Sequence, residues 1–216
     1  MYILLFIIPH TIISIATGSG NIPHIIARYW ARWTLFCSNV KVHVEGEENI
    51  PEGPAIYMSN HASHYDVFSI LAYLDVQFRW IVKKELYLIP LLNLAMKNAG
   101  YIKIDRSNHK KAMESMKIAA KQIRDGTSTM IFPEGTRSPD GKIQYPFKKG
   151  GFHLAIDAGV PIVPISVVGS RAILAKGSYK IKPGHITLKI GKPIDSAGDD
   201  VQSLMEETYQ AITQYL

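Results

Sequence analysis

Residues 54–74, PAIYMSNHASHYDVFSILAYL, decide how the fold is read. Pro54 to Ser59 is a short apolar run after a Pro/Gly turn, the pattern of a buried strand. From His64 the spacing changes, and Val67, Ile70, Leu71 and Leu74 recur at helical intervals. Between strand and helix lies a polar cluster, Ser59-Asn60-His61-Ala62-Ser63-His64-Tyr65-Asp66. In open α/β sheets, ligand sites gather at this place, beyond the carboxyl ends of strands.

The alternation continues on both sides. Strand-like runs are Lys41–Glu45, Arg79–Val82, Tyr101–Ile104, Thr127–Phe132, Pro161–Val168 and His185–Ile190. Helical stretches fall at Leu91–Asn98, Asn108–Arg124 and Gly151–Ala158. A last amphipathic helix near Val201–Leu216 sets Val201, Leu204, Met205, Thr208 and Ile212 on one face. This order predicts an α/β fold: one domain, residues 40–216, with a mostly parallel mixed sheet flanked by helices.

Ahead of it, Met1–Ala16 (MYILLFIIPHTIISIA) is almost entirely apolar but broken by Pro9 and His10. It is short for a membrane span, and its flanks do not read as a secretory signal peptide. His24–Cys37 follows, with Trp30 and Trp33 beside Arg28 and Arg32, a composition suited to the headgroup layer. Residues 1–39 therefore read as an amphipathic two-helix anchor dipping into one leaflet, with a buried helix pair as the alternative.

With 216 residues and 47% hydrophobic content, the chain is neither disordered nor fibrous. Its one cysteine, Cys37, excludes an internal disulfide and a cysteine zinc site. The formal charge is +6, and its distribution matters more than its sum. Residues 138–193 hold nine basic and two acidic side chains, leaving fifteen and sixteen elsewhere. Such a concentration predicts an anionic partner. No helix-turn-helix or RNA-binding signature points to nucleic acid.

Within the polar cluster, His61 can take a proton from a hydroxyl group, and Asp66 can orient the imidazole as in a hydrolytic triad. Ser63-x-x-Asp66 fits a helix capping box equally well. A metal site on His61, His64 and Asp66 lacks further ligands. A hydrolase with Ser63 as nucleophile lacks the G-x-S-x-G elbow. In Phe132–Ser138 (FPEGTRS), Gly135 permits a tight backbone path and Arg137 offers a planar fork suited to phosphate. Gly100–Arg106 is a strand ending in Asp105-Arg106, a second phosphate candidate. Val160–Ile165 is an apolar strand with two prolines, which implies an edge or a bulge with free apolar surface nearby.

Taken in order, His61-x4-Asp66, Gly100–Arg106, Phe132–Ser138 and Val160–Ile165 resemble the four motifs of the glycerolipid acyltransferase family, and in particular its bacterial 1-acyl-sn-glycerol-3-phosphate (lysophosphatidic acid) acyltransferases. The likeness covers about Val40 to Pro193. It implies transfer of an acyl group from acyl-CoA or acyl-carrier protein to lysophosphatidic acid, giving phosphatidic acid, with no cofactor, metal or nucleic acid. His61 would be the base and Asp66 its orienting carboxylate. Lys83 (or its neighbour Lys84), Arg106, Glu134, Gly135, Thr136 and Arg137 would bind the acceptor and its phosphate. Val160, Pro161, Ile162 and Pro164 would face the acyl chain or donor. The resemblance also implies a bilayer partner for residues 1–37, on the cytoplasmic face of a bacterial inner membrane. Pro133 and Thr136 favour lysophosphatidate over glycerol-3-phosphate as acceptor. His64 departs from the tryptophan common at that position.

Overall fold

The computed structural model describes residues 20–216 except Leu91, Arg106 and Asp199; the apolar run Met1–Ala16 and Arg106 lie outside the described residues. Helix α1 (Asn21–Cys37) leads into strand β1 (Val40–Glu45), followed by β2 (Ile56–Ser59), α2 (His64–Tyr73), β3 (Phe78–Lys83), α3 (Leu92–Asn98) and β4 (Ile102–Ile104). Then come α4 (His109–Arg124), β5 (Ser128–Ile131), α5 (Gly150–Ala158), β6 (Ile162–Val168), the short α6 (Ser170–Ile173), β7 (Gly184–Ile190) and α7 (Val201–Thr213).

The strands form one seven-stranded sheet in the order β1-β7-β6-β2-β5-β3-β4. Every neighbouring pair is parallel except β6–β7. A parallel interior strand must be apolar on both faces, and all four residues of β2 are buried. Tyr57 points into a core shared with α1 and α2, while Ile56 and Met58 point into a second core shared with α4, α5 and α7.

This division opens the site. β2 is followed by α2 on one face of the sheet, and its neighbour β5 by α5 on the other. The two connections diverge, leaving a crevice beyond the carboxyl ends of adjacent strands.

One expectation is corrected here. β6 is an interior strand between β2 and β7, and its Val163 and Ile165 are fully buried, so it offers no free apolar edge. The bulge is present instead. Ile162 bridges Ile194 and Ile165 pairs with Ile190, so three residues oppose two. Pro164 sits at that irregularity, where its missing donor breaks no ladder bond and its carbonyl accepts from Gly191 N–H at 2.8 Å.

The arginines of α1 also have partners within the protein. Arg28 donates to Asp75 at 2.8 Å, and Arg32 Nε donates to the Ala72 carbonyl at 3.1 Å, tying α1 to α2. Ala31 and Leu35 bury against the domain, while Ile22, Ile25, Tyr29, Trp33 and Phe36 form an exposed stripe on the opposite side. No helix among the described residues is long and apolar enough to cross a membrane.

His24, on the inner face of α1, is fully buried and edge-on to Phe78, with ring centroids 4.6 Å apart. Burial, then the charges of Arg79 and Arg28, hold its pKa down to about 3. The unfolded chain therefore binds a proton that the folded chain refuses between pH 6.5 and 3. Stability is full above that window and is lost as pH falls through it. Denaturant titration should find a loss on the order of 2 kcal/mol between pH 7 and 5 attributable to His24. His24→Leu should remove that part of the slope. An unchanged slope would contradict neutral burial of His24.

Candidate active site

The chain leaves β2 at Ser59 and enters α2 through an extended N-cap, Ser63, with φ −144°. The Ser63 hydroxyl accepts from Tyr65 N–H at 3.1 Å and donates to the Leu174 carbonyl at 2.7 Å. The capping-box carboxylate is Asp66, which is fully buried. Its Oδ2 accepts from Ala62 N–H (2.7 Å), Ser63 N–H (2.8 Å) and His61 Nδ1 (2.9 Å). The cap and the histidine contact are thus one arrangement. With Nδ1 committed to Asp66, Nε2 is the nitrogen left for an outside proton, on a side chain still 15% exposed.

The imidazole is held from its face as well. Phe132, just past β5, stacks on it with centroids 3.9 Å apart and planes 9° apart. Trp80 of β3 stacks in turn on Phe132, at 5.3 Å and 25°. Three adjacent strands therefore build the wall behind His61.

The Phe132–Ser138 loop is tied to the His61 backbone at two points. Glu134 Oε1 accepts from His61 N–H at 2.6 Å, and Ser138 N–H donates to the His61 carbonyl at 2.7 Å. Glu134 Oε2 accepts from Gln144 N–H at 2.8 Å. Gly135 turns the loop with a left-handed φ of 77°, Thr136 is exposed and Arg137 half-buried. The charges of Arg137 and His61 both act on His64, whose pKa is lowered first by burial, then by Arg137 and His61, with Asp66 opposing.

Lys83 is exposed at the carboxyl end of β3, the same end of the sheet as His61, beside a cavity of about 290 Å³ lined with Glu85, Ile104 and Ser107. Lys84 is already committed, 2.9 Å from both Asp105 and Ser107. Val160, Pro161 and Ile162 lie apart from this group. Ile162 pairs with Ile56, at the amino end of β2, the end of the strand away from His61. Pro164 lies beside Met58 within the sheet. Among the described residues, no three His, Cys, Asp or Glu side chains converge as metal ligands.

Sequence reasoning passed over Phe132 and Trp80 as site residues, and assigned Glu134 to the acceptor. Glu134 is 5% exposed and spends both oxygens on backbone amides. Burial raises its pKa to about 7, against the lowering effect of those amides and with Asp66 adding to the rise. The folded chain therefore retains a proton that the unfolded chain has released, so this group makes stability fall as pH rises from about 4.5 to 7. Glu134→Gln should flatten that slope and cost about 1–3 kcal/mol, because one amide loses its acceptor. Denaturant titration across that pH range checks both effects, and a wild-type slope in the variant would contradict them.

The acyltransferase family profile matches residues 41–168. The chain is 36% identical over 181 residues to a chloroplastic 1-acyl-sn-glycerol-3-phosphate acyltransferase of Arabidopsis thaliana, covering 82% of this chain and 50% of that protein. It is 30% identical over 194 residues to the 1-acyl-sn-glycerol-3-phosphate acyltransferase of Pseudomonas aeruginosa, covering 86% of this chain and 73% of that one. The chain spans about half the length of the Arabidopsis relative. Among solved structures, the 1-acyl-sn-glycerophosphate acyltransferase PlsC of Thermotoga maritima superposes with a TM-score of 0.80 at 29% identity, covering 91% of this chain and 79% of that one. The chain belongs to the acyltransferase family that these 1-acyl-sn-glycerol-3-phosphate acyltransferases represent.

Proposed function

We propose that the protein transfers a fatty acyl group from acyl-CoA or acyl-carrier protein to the free sn-2 hydroxyl of 1-acylglycerol-3-phosphate, giving phosphatidic acid. The observation that carries this reading is the His61 imidazole fixed by Asp66 and Phe132 at the crevice beyond β2 and β5. The names of the relatives supply the reaction class.

His61 Nε2 takes the proton of the acceptor hydroxyl as its oxygen attacks the thioester carbonyl. The tetrahedral intermediate collapses, the carbon–sulfur bond breaks, and the proton passes from His61 to the departing thiolate. The buried Asp66 charge stabilises the imidazolium between these steps. Arg137 holds the acceptor phosphate, with Lys83 as a second cation, so the hydroxyl is positioned for attack. Arg106 joins them on the strength of the family resemblance alone. Glu134 acts as the brace between the two loops rather than as a ligand.

A hydrolase with a serine nucleophile is disfavoured by the Ser63 hydroxyl, which donates to Leu174 and not to the imidazole. No enzyme nucleophile is needed for direct transfer. Residues 1–39 dock the protein on a bilayer, at the cytoplasmic face of a bacterial membrane, with residues 40–216 as the catalytic domain. The exposed stripe Ile22, Ile25, Tyr29, Trp33 and Phe36 supports this docking.

His61→Ala should lose on the order of 10²–10⁴ in kcat while keeping the wild-type circular dichroism spectrum. Wild-type turnover by a folded variant would end the mechanism. Arg137→Ala should raise KM for lysophosphatidate by roughly 10- to 100-fold, the worth of one charged hydrogen bond. An unchanged KM in steady-state assays would remove Arg137 from the phosphate.

A further inference from the structure

The loop after α6, residues 174–183 (LAKGSYKIKP), packs on the core through Leu174, yet further along it holds large apolar groups in water. Tyr179 is 99% exposed and Ile181 is 52% exposed. Lys180 and Lys182 alternate with them, both exposed, and no acidic residue occurs between Asp157 and Asp195. The exposure belongs to a held shape. Ser178 N–H donates to the Ala175 carbonyl at 3.0 Å, Lys180 N–H to Ser178 Oγ at 3.1 Å, and Lys182 N–H to the Ile173 carbonyl at 2.9 Å.

Both ends of the loop are anchored at telling places. Leu174 receives the Ser63 hydroxyl, two residues from His61, and Lys176 Nζ donates to the Arg137 carbonyl at 2.6 Å. At the other end, Gly184 pairs with Val40 and its N–H donates to the Asn39 carbonyl at 3.3 Å, beside the end of α1. Trp33 and Phe36 are exposed in that last part of α1, Phe36 by 75%. The loop therefore joins the apolar stripe of α1 to the rim of the site.

We propose that this loop is a second lipid-contacting element, with Tyr179 and Ile181 entering the interfacial layer of an anionic bilayer and Lys180 and Lys182 meeting its phosphates. An aromatic and an aliphatic tip between cations match that layer, where amphipathic rings sit at headgroup depth. Lysines alone would serve an acidic protein; the outward Tyr179 and Ile181 favour lipid. Lys176 then couples the docked loop to Arg137, bringing that side chain to the layer in which a lysophospholipid phosphate lies. The inference rests on the membrane-docking reading above and extends it from α1 to the mouth of the site.

The test is flotation of the full chain with phosphatidylcholine vesicles, with and without phosphatidylglycerol, beside circular dichroism. Lys180→Gln with Lys182→Gln should weaken binding to the anionic vesicles by roughly fivefold per lysine, and less at high salt. Tyr179→Ser with Ile181→Ser should weaken binding to both vesicle types. Trp33→Ser with Phe36→Ser probes α1 alone. Undiminished binding by both loop variants, with loss only in the α1 variant, overturns the loop and leaves the docking of α1 standing. Failure of the wild-type chain to float with either vesicle overturns both. Should the lysine variant bind vesicles normally and slow transfer only from acyl-carrier protein, the loop is a docking site for that acidic protein and the lipid assignment is wrong.

Discussion

One buried carboxylate oxygen organises this molecule. Asp66 Oδ2 lies out of reach of water and accepts three donors, two backbone amides at the start of α2 and the imidazole of His61. A buried charge is tolerated only when it is met by donors of good geometry. Here the same contacts that meet Oδ2 begin the helix and fix the imidazole, while the buried Oδ1 has no hydrogen-bond partner among the described residues. The question whether Ser63-x-x-Asp66 is a cap or part of a catalytic pair therefore dissolves. The cap sets the turn, and the turn brings His61 back over the carboxylate.

The rest of the site follows from how adjacent strands leave the sheet. Because β2 and β5 send their helices to opposite faces, the loop after β5 is free to lie against the loop after β2. Glu134 and Ser138 lock it there through the His61 backbone, and Phe132 covers the ring. His61 is thus restrained at its backbone, its Nδ1 and its face, which leaves Nε2 as its chemically available atom. A base held in this way loses little entropy on reaching its reactive geometry.

Much of this was legible in the sequence, because hydrophobic periodicity reports burial and polar clusters after strands report site edges. The strand from Pro54 and the helix from His64 appear with shifts of one or two residues, and the parallel α/β class follows from their alternation. What failed was reasoning about side-chain partners distant in sequence. The contacts of Arg28 and Arg32 with Asp75 and the Ala72 carbonyl, which tie α1 to α2, have no local signal in the helix sequence. Pro161 and Pro164 left an edge and a bulge both open; the bulge is what forms, beside Gly191, and the free apolar surface expected with them is absent because β6 lies inside the sheet. Trp80 and Phe132 join His61 only through strand register, with Trp80 opposite Met130 and Phe132 two residues further on the same face. No local signal in either segment announces that contact.

The central claim is that Asp66 holds His61 as the Nδ1–H tautomer, leaving Nε2 as the base. It is tested most directly by ¹⁵N NMR of histidine-labelled protein at neutral pH, with the His61 resonances assigned by loss in His61→Gln. The account predicts a protonated Nδ1 and an unprotonated Nε2 in the wild type, and a mixture of tautomers in Asp66→Ala. A wild-type His61 that carries its proton on Nε2, or that is unmoved by loss of the carboxylate, would contradict it.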